Sequence, residues 1–173
     1  MKKLAGTVSL MGLMFALAMA FSYLESMVVV PGVLPGIRLG LSNLVTMYCL
    51  FFLGKKAGCT MALMKSLFVL MTRGAVAGML SLAGGLMSVA AIILAGWLSH
   101  HHLHYITLSI IGAVAHNMGQ LLMAKWVTNM FLYYYIPVLI LAGMAVGFLT
   151  GKLFVWIIPY IPERYRNYLQ RNK

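Results

Sequence analysis

The chain has 173 residues, 62% of them hydrophobic and 9% charged, with a mean hydropathy of +0.94. That lies outside the range of soluble domains and predicts an all-α, polytopic integral membrane protein. Its 13 Lys and Arg stand against two acidic residues, Glu25 and Glu163, with no Asp, which excludes paired-carboxylate hydrolysis and Asp-built Mg²⁺-diphosphate sites. No catalysis by this chain and no cofactor are therefore expected. The basic excess calls for no nucleic acid: Lys and Arg beside apolar spans set topology and touch anionic membrane lipids.

The first apolar run, from about Leu4 to Val30, is long enough to cross a hydrocarbon core of ~30 Å at ~1.5 Å per residue. MKK and Ala16-Leu17-Ala18-Met19-Ala20 imitate a signal peptide, but the run continues past Met27, so a retained helix is expected. Gly12, Ala16 and Ala20 recur at four-residue spacing, a helix-packing or coupling face that lets another helix come close. Pro31-Gly32-Val33-Leu34-Pro35-Gly36 then breaks the helix in a structured apolar loop.

A second segment runs from near Ile37 to Gly54, with Arg38 at its start, Asn43 deeper, and Lys55-Lys56-Ala57-Gly58 as a short basic turn. The third, Ala57 to about Met71, carries Lys65 near its middle and Arg73 after its end. Lys65 reads as a buried structural bond or a side chain reaching an interface rather than a ligand group. A fourth segment extends from about Met79 to Leu98, and its small residues Ser81, Ala83, Gly84, Gly85 and Ser88 predict tight helix contact or a locally opened helix. His100, His101, His102 and His104 read as a polar turn rather than a metal site, and Cys49 and Cys59 as packing residues.

The fifth segment, about Tyr105 to Val127, holds the most informative pattern. His116, Asn117 and Gln120 share one face of an otherwise apolar helix, and such a face must turn toward protein, water or a ligand. After the interfacial Tyr133-Tyr134-Tyr135 belt, a sixth segment runs to about Ile158 with Gly143, Gly147 and Gly151 on one stripe, and Pro159 and Pro162 stop it. Residues 1–158 thus form a transmembrane domain of six helices, and 159–173 a basic amphipathic cytoplasmic tail. Lys2, Lys3, Lys55, Lys56, Lys152, Arg164, Arg166, Arg171 and Lys173 fall on one side and Arg38, Arg73 and Lys125 on the other, which predicts both termini inside, in the cytoplasmic membrane.

On that topology His116 lies ~16 Å from the cytoplasmic end of its helix, near the midplane. A cavity open to the outside is expected, lined by Arg38, Asn43, Arg73, His116, Asn117 and Gln120, with Glu25 at its rim. Two guanidinium groups with amide donors suit a carboxylate, phosphate or other small anionic or amphipathic molecule. The plainer alternatives are that Arg38 pairs with Glu25 or snorkels, and that the polar residues of the fifth helix simply join helices.

LPGIRLGLSNLVTMYCLFFLG (34–54), SLAGGLMS (81–88) and SIIGAVAHNMGQLLMA (109–124) resemble the membrane family called heptaprenyl diphosphate synthase component I, also termed the Gx transporter family. That family is similar in turn to the substrate-binding S components of energy-coupling-factor transporters. The resemblance implies a six-helix S-component-like bundle, an outward pocket with Arg38, Asn43, His116, Asn117 and Gln120 at motif positions, and Ala16 and Ala20 facing a membrane coupling protein. The expected function is uptake of a small molecule, driven by separate cytoplasmic ATPases because the chain has no phosphate-binding loop. The alternatives are a non-catalytic membrane partner of a prenyltransferase subunit in isoprenoid or quinone synthesis, and an accessory subunit of a membrane redox complex.

Overall fold

A computed structural model describes residues 2–27, 40–100, 102–128, 134 and 136–160. Among these the regular elements are helical: α1 (Lys2–Met27), α2 (Leu41–Tyr48) continued by a π-helical turn (Cys49–Leu53), α3 (Lys55–Arg73), α4 (Ala75–Leu98), α5 (Tyr105–Thr128), α6 (Ile136–Ile157) and a 3₁₀ turn (Ile158–Tyr160). Four stretches are long and apolar enough to cross a membrane: Val8–Glu25, Ala75–Leu98, Tyr105–Val127 and Ile136–Tyr160. The apolar stretch Leu41–Leu53 is shorter than a span, and α3 carries Lys55, Lys56, Lys65 and Arg73.

Three boundaries differ from the sequence expectation, and glycine explains each. The helix of the second segment starts at Leu41, directly after Gly40, whose φ of +76° is not helical; Ile37 lies outside the described residues. The turn expected at Lys55–Gly58 is instead Gly54 alone, and Gly58 lies inside α3, where an added Cβ would stand 2.9 Å from Leu50 Cβ. Likewise α4 starts at Ala75, directly after Gly74 at φ +90°, and Gly78 lies within it against the Leu70 backbone, 2.8 Å from an added Cβ to Cα. Gly58 and Gly78 therefore serve close approach rather than helix breaking.

The same logic assembles α4, α5 and α6. Gly143, Gly147 and Gly151 lay α6 against Val114, Ile110 and Ile106 of α5, with only 2.6 Å between an added Cβ on Gly147 and Ile110 Cα. Gly84 of α4 admits the backbone carbonyl of His116 and the Gln120 side chain, and Gly85 faces Ala62 of α3. The SLAGGLMS stretch is thus a tight contact in an unbroken helix, the first of its two expected forms. A buried Ser109–Thr150 hydroxyl pair at 2.9 Å adds a polar tie between α5 and α6. On the other flank, Ala18 and Met19 of α1 pack with Val45, Cys49 and Met61 of α2, its π turn and α3.

One end of the bundle is filled by aromatic rings. The π turn brings Phe51 to within 5.2 Å of Tyr105 and 5.7 Å of Phe154, centroid to centroid, and Phe52 lies 6.1 Å from Phe154. This plug, with Met47, Leu50, Val89, Ile92 and Leu108, closes the Lys55 end of the interior. The outward surface is apolar, and Trp97, Trp126 and Trp156 near helix ends are exposed, as at membrane interfaces. Tyr134 is exposed, while Tyr133, Tyr135, the Pro31–Gly36 loop and residues 161–173 lie outside the described residues.

Candidate functional site

Toward the Arg73 end the interior turns polar. Lys65, halfway along α3 and buried, donates from Nζ to Asn43 Oδ1 at 2.7 Å and to Ser42 Oγ at 3.0 Å on α2. Ser42 in turn donates its backbone N–H to Oε1 of Glu25 on α1 at 3.3 Å. That N–H belongs to the first turn of α2, where the helix has no acceptor of its own, and Gly40 supplies no side-chain cap. Glu25 therefore caps α2 from a neighbouring helix, where a carboxylate also meets the positive end of the helix dipole. Its second oxygen, Oε2, is buried and has no hydrogen-bond partner among the described residues.

These groups line a divided cavity. The polar half, about 40 Å³, is walled by Ser22, Glu25, Ser42, Asn117, Gln120 and their neighbours. An adjoining half of about 30 Å³ is more apolar, with Leu44, Met47, Leu50, Val89 and Ile92. Gly40, Asn43, Lys65, Ser81, Ala113, His116 and Val146 border both. Room of this size suits a few water molecules in the present state.

Of the expected site residues, Glu25, Asn43, His116, Asn117 and Gln120 come together here. Glu25 is not at a rim but in the wall, 8% exposed. Asn117 also has a structural duty, donating from Nδ2 to the Leu139 carbonyl of α6 at 2.9 Å. Arg73 does not line the cavity; it reaches the end of α1 and donates to the Ser22 carbonyl at 3.1 Å. Arg38 lies outside the described residues; among the described residues the lysine or arginine that lines the cavity is Lys65. The sequence reading of Lys65 as a buried structural bond agrees with these contacts, which also bring it to the cavity wall; Ser42 carries no signal in the sequence that sets it apart.

Ala16 and Ala20, with Gly12, fall on the exposed side of α1, opposite the buried Ala18, Met19, Ser22 and Glu25. Their small-residue face is thus not used for packing among the described residues. His100, His102 and His104 are exposed on the turn after α4, His101 lies outside the described residues, and no described group of three His, Cys, Asp or Glu could hold a metal ion.

Among the described residues, six helices around a polar interior, four of them long and apolar enough to cross a membrane, define a multi-pass helical membrane protein with an internal cavity. Residues 14–155, from the middle of α1 almost to the end of α6, match the family described as heptaprenyl diphosphate synthase component I. The chain belongs to that family. No curated protein and no solved structure matches it.

Proposed function

We propose that the protein is a non-catalytic membrane component that holds a small molecule in the Lys65 cavity and acts through partner subunits. The observation that carries this is the cavity wall itself: a buried ammonium tied to Asn43 and Ser42, beside a buried carboxylate with one oxygen that has no partner among the described residues. Charged groups are expensive to keep in a membrane interior and mark binding sites there.

The family description favours a partner in heptaprenyl diphosphate synthesis. With Glu25 and Glu163 as its only acids, the chain brings no carboxylate cluster for Mg²⁺-diphosphate chemistry, so prenyl transfer falls to a soluble prenyltransferase subunit. This chain then supplies the membrane site and holds an amphipathic molecule there. A second reading, an S-component-like uptake subunit, is favoured by the exposed Gly12, Ala16 and Ala20 face of α1, which suits close approach by a membrane coupling protein joined to cytoplasmic ATPases. In both readings six segments embed in the cytoplasmic membrane with both termini inside, and residues 159–173 form a tail on the anionic leaflet.

Purification from native membranes in mild detergent, with mass spectrometry of bound proteins and small molecules, tests the proposal. A co-purifying prenyltransferase subunit without ATPases supports the first reading. ATPases with a coupling protein support the second and sink the first. Purification with neither partner nor retained molecule overturns both.

A further inference from the structure

The charge of the cavity limits what it can hold. Among the described residues of its lining the formal charges are one Lys, Lys65, and one acid, Glu25; His116 adds an imidazole, and Arg73, which is not in the lining, donates to the backbone carbonyl of the wall residue Ser22. Lys65 and Glu25 are respectively 8% and 8% exposed, and they sit on different helices, α3 and α1, bridged through Ser42. A ligand with net charge would leave one of them uncompensated away from water, a large cost in a medium of low polarity. A diphosphate, with several negative charges against one ammonium and one carboxylate, is the least suited of all.

We infer that the cavity selects a small molecule of no net charge that carries an acidic group and a hydrogen-bond donor close together, with an apolar remainder. The acidic group lies at Lys65, within reach of Asn43 and Gln120. An ammonium or comparable donor answers Oε2 of Glu25, the buried oxygen that has no partner among the described residues. The apolar remainder points into the half lined by Leu44, Leu50 and Ile92. A zwitterion with an aliphatic tail has this pattern, and its entry requires the helices to part, since the present volume has room only for groups the size of a few water molecules. This rests on the reading that the cavity binds a small molecule, and deepens it by naming the class.

The test uses the full chain purified in detergent and its thermal unfolding midpoint with five probes: leucine, its deaminated acid isocaproate, its decarboxylated amine isoamylamine, glycine, and inorganic pyrophosphate. Leucine is expected to stabilise the wild type saturably, with isocaproate and isoamylamine each needing at least about tenfold higher concentration and glycine weaker than leucine. Glu25→Gln, which keeps a carbonyl for the Ser42 N–H, should invert the preference toward isocaproate. Lys65→Gln should invert it toward isoamylamine. If a variant does not fold, the wild-type series alone decides. Stabilisation of the wild type by pyrophosphate or isocaproate at least as strong as by leucine overturns the inference while keeping a ligand-binding cavity. Stabilisation by none of the five overturns the inference, and native membranes that yield no retained molecule then remove the underlying reading as well.

Discussion

At Lys65 a single side chain ties two helices together in a place where water is scarce. Its bonds to Asn43 and Ser42 are charge-assisted, and each such bond contributes more than a neutral one. Lys65→Met keeps the bulk and removes the charge, leaving Asn43 Oδ1 and the Glu25 carboxylate without it. The expected loss is about 2–4 kcal/mol, read as a lower unfolding midpoint in detergent. An unchanged midpoint would show that the network does not support the fold. Glu25→Gln should cost less, about 1 kcal/mol, because the amide carbonyl still accepts the Ser42 N–H that Glu25 caps. Parts of this network were legible in the sequence. His116, Asn117 and Gln120 stand out because polar residues interrupt an apolar helix, and they do reach the cavity. What Lys65 bonds to was not legible, since Asn43 and Ser42 lie 22 and 23 residues away and meet it only once α2 packs on α3. Arg73 is the converse case: a long side chain at a helix end reaches across to a neighbouring helix, here the Ser22 carbonyl of α1, and does not itself enter the lining.

At the level of helices, glycine decides which pairs meet. Gly147→Ala would set a methyl 2.6 Å from the Cα of Ile110, where backbone cannot yield, and should push α6 from α5 at a cost of about 1–3 kcal/mol. Gly12→Ala, with nothing within 4 Å of the new carbon, should leave stability unchanged or raised. Thermal unfolding of the two variants side by side checks the contrast, and equal effects would mean that the α5–α6 approach is looser than described. The extents of α1, α5 and α6 were readable from hydropathy because long apolar runs have one solution in a membrane. The starts of α3 and α4 were not, because glycine beside a charged or small-residue stretch signals a turn and a close contact equally well. Only the packed partner distinguishes Gly54 and Gly74, which turn, from Gly58 and Gly78, which touch.

For the whole molecule, the proposed topology places the aromatic plug and Lys55 on the cytoplasmic side and Arg73 on the outer side. With Cys49 and Cys59 replaced by Ser, single cysteines at Lys55 and Thr72, both exposed, report this directly. In intact cells a membrane-impermeant thiol reagent should label Thr72→Cys and spare Lys55→Cys until the membrane is opened; the reverse pattern would invert the orientation. The shortness of α2 then has an electrical meaning. From Leu41 to Leu53 the helix and its π turn cover roughly 20 Å, about 10 Å short of a ~30 Å hydrocarbon core. On that proposed topology, with Leu53 at the inner boundary, Gly40, Ser42 and Asn43 would sit about a third of the way across the transmembrane field, as counted from outside. A singly charged guest arriving there would feel on the order of 0.8 kcal/mol per 100 mV. A guest of no net charge would bind with the same affinity whether the cell is energised or not.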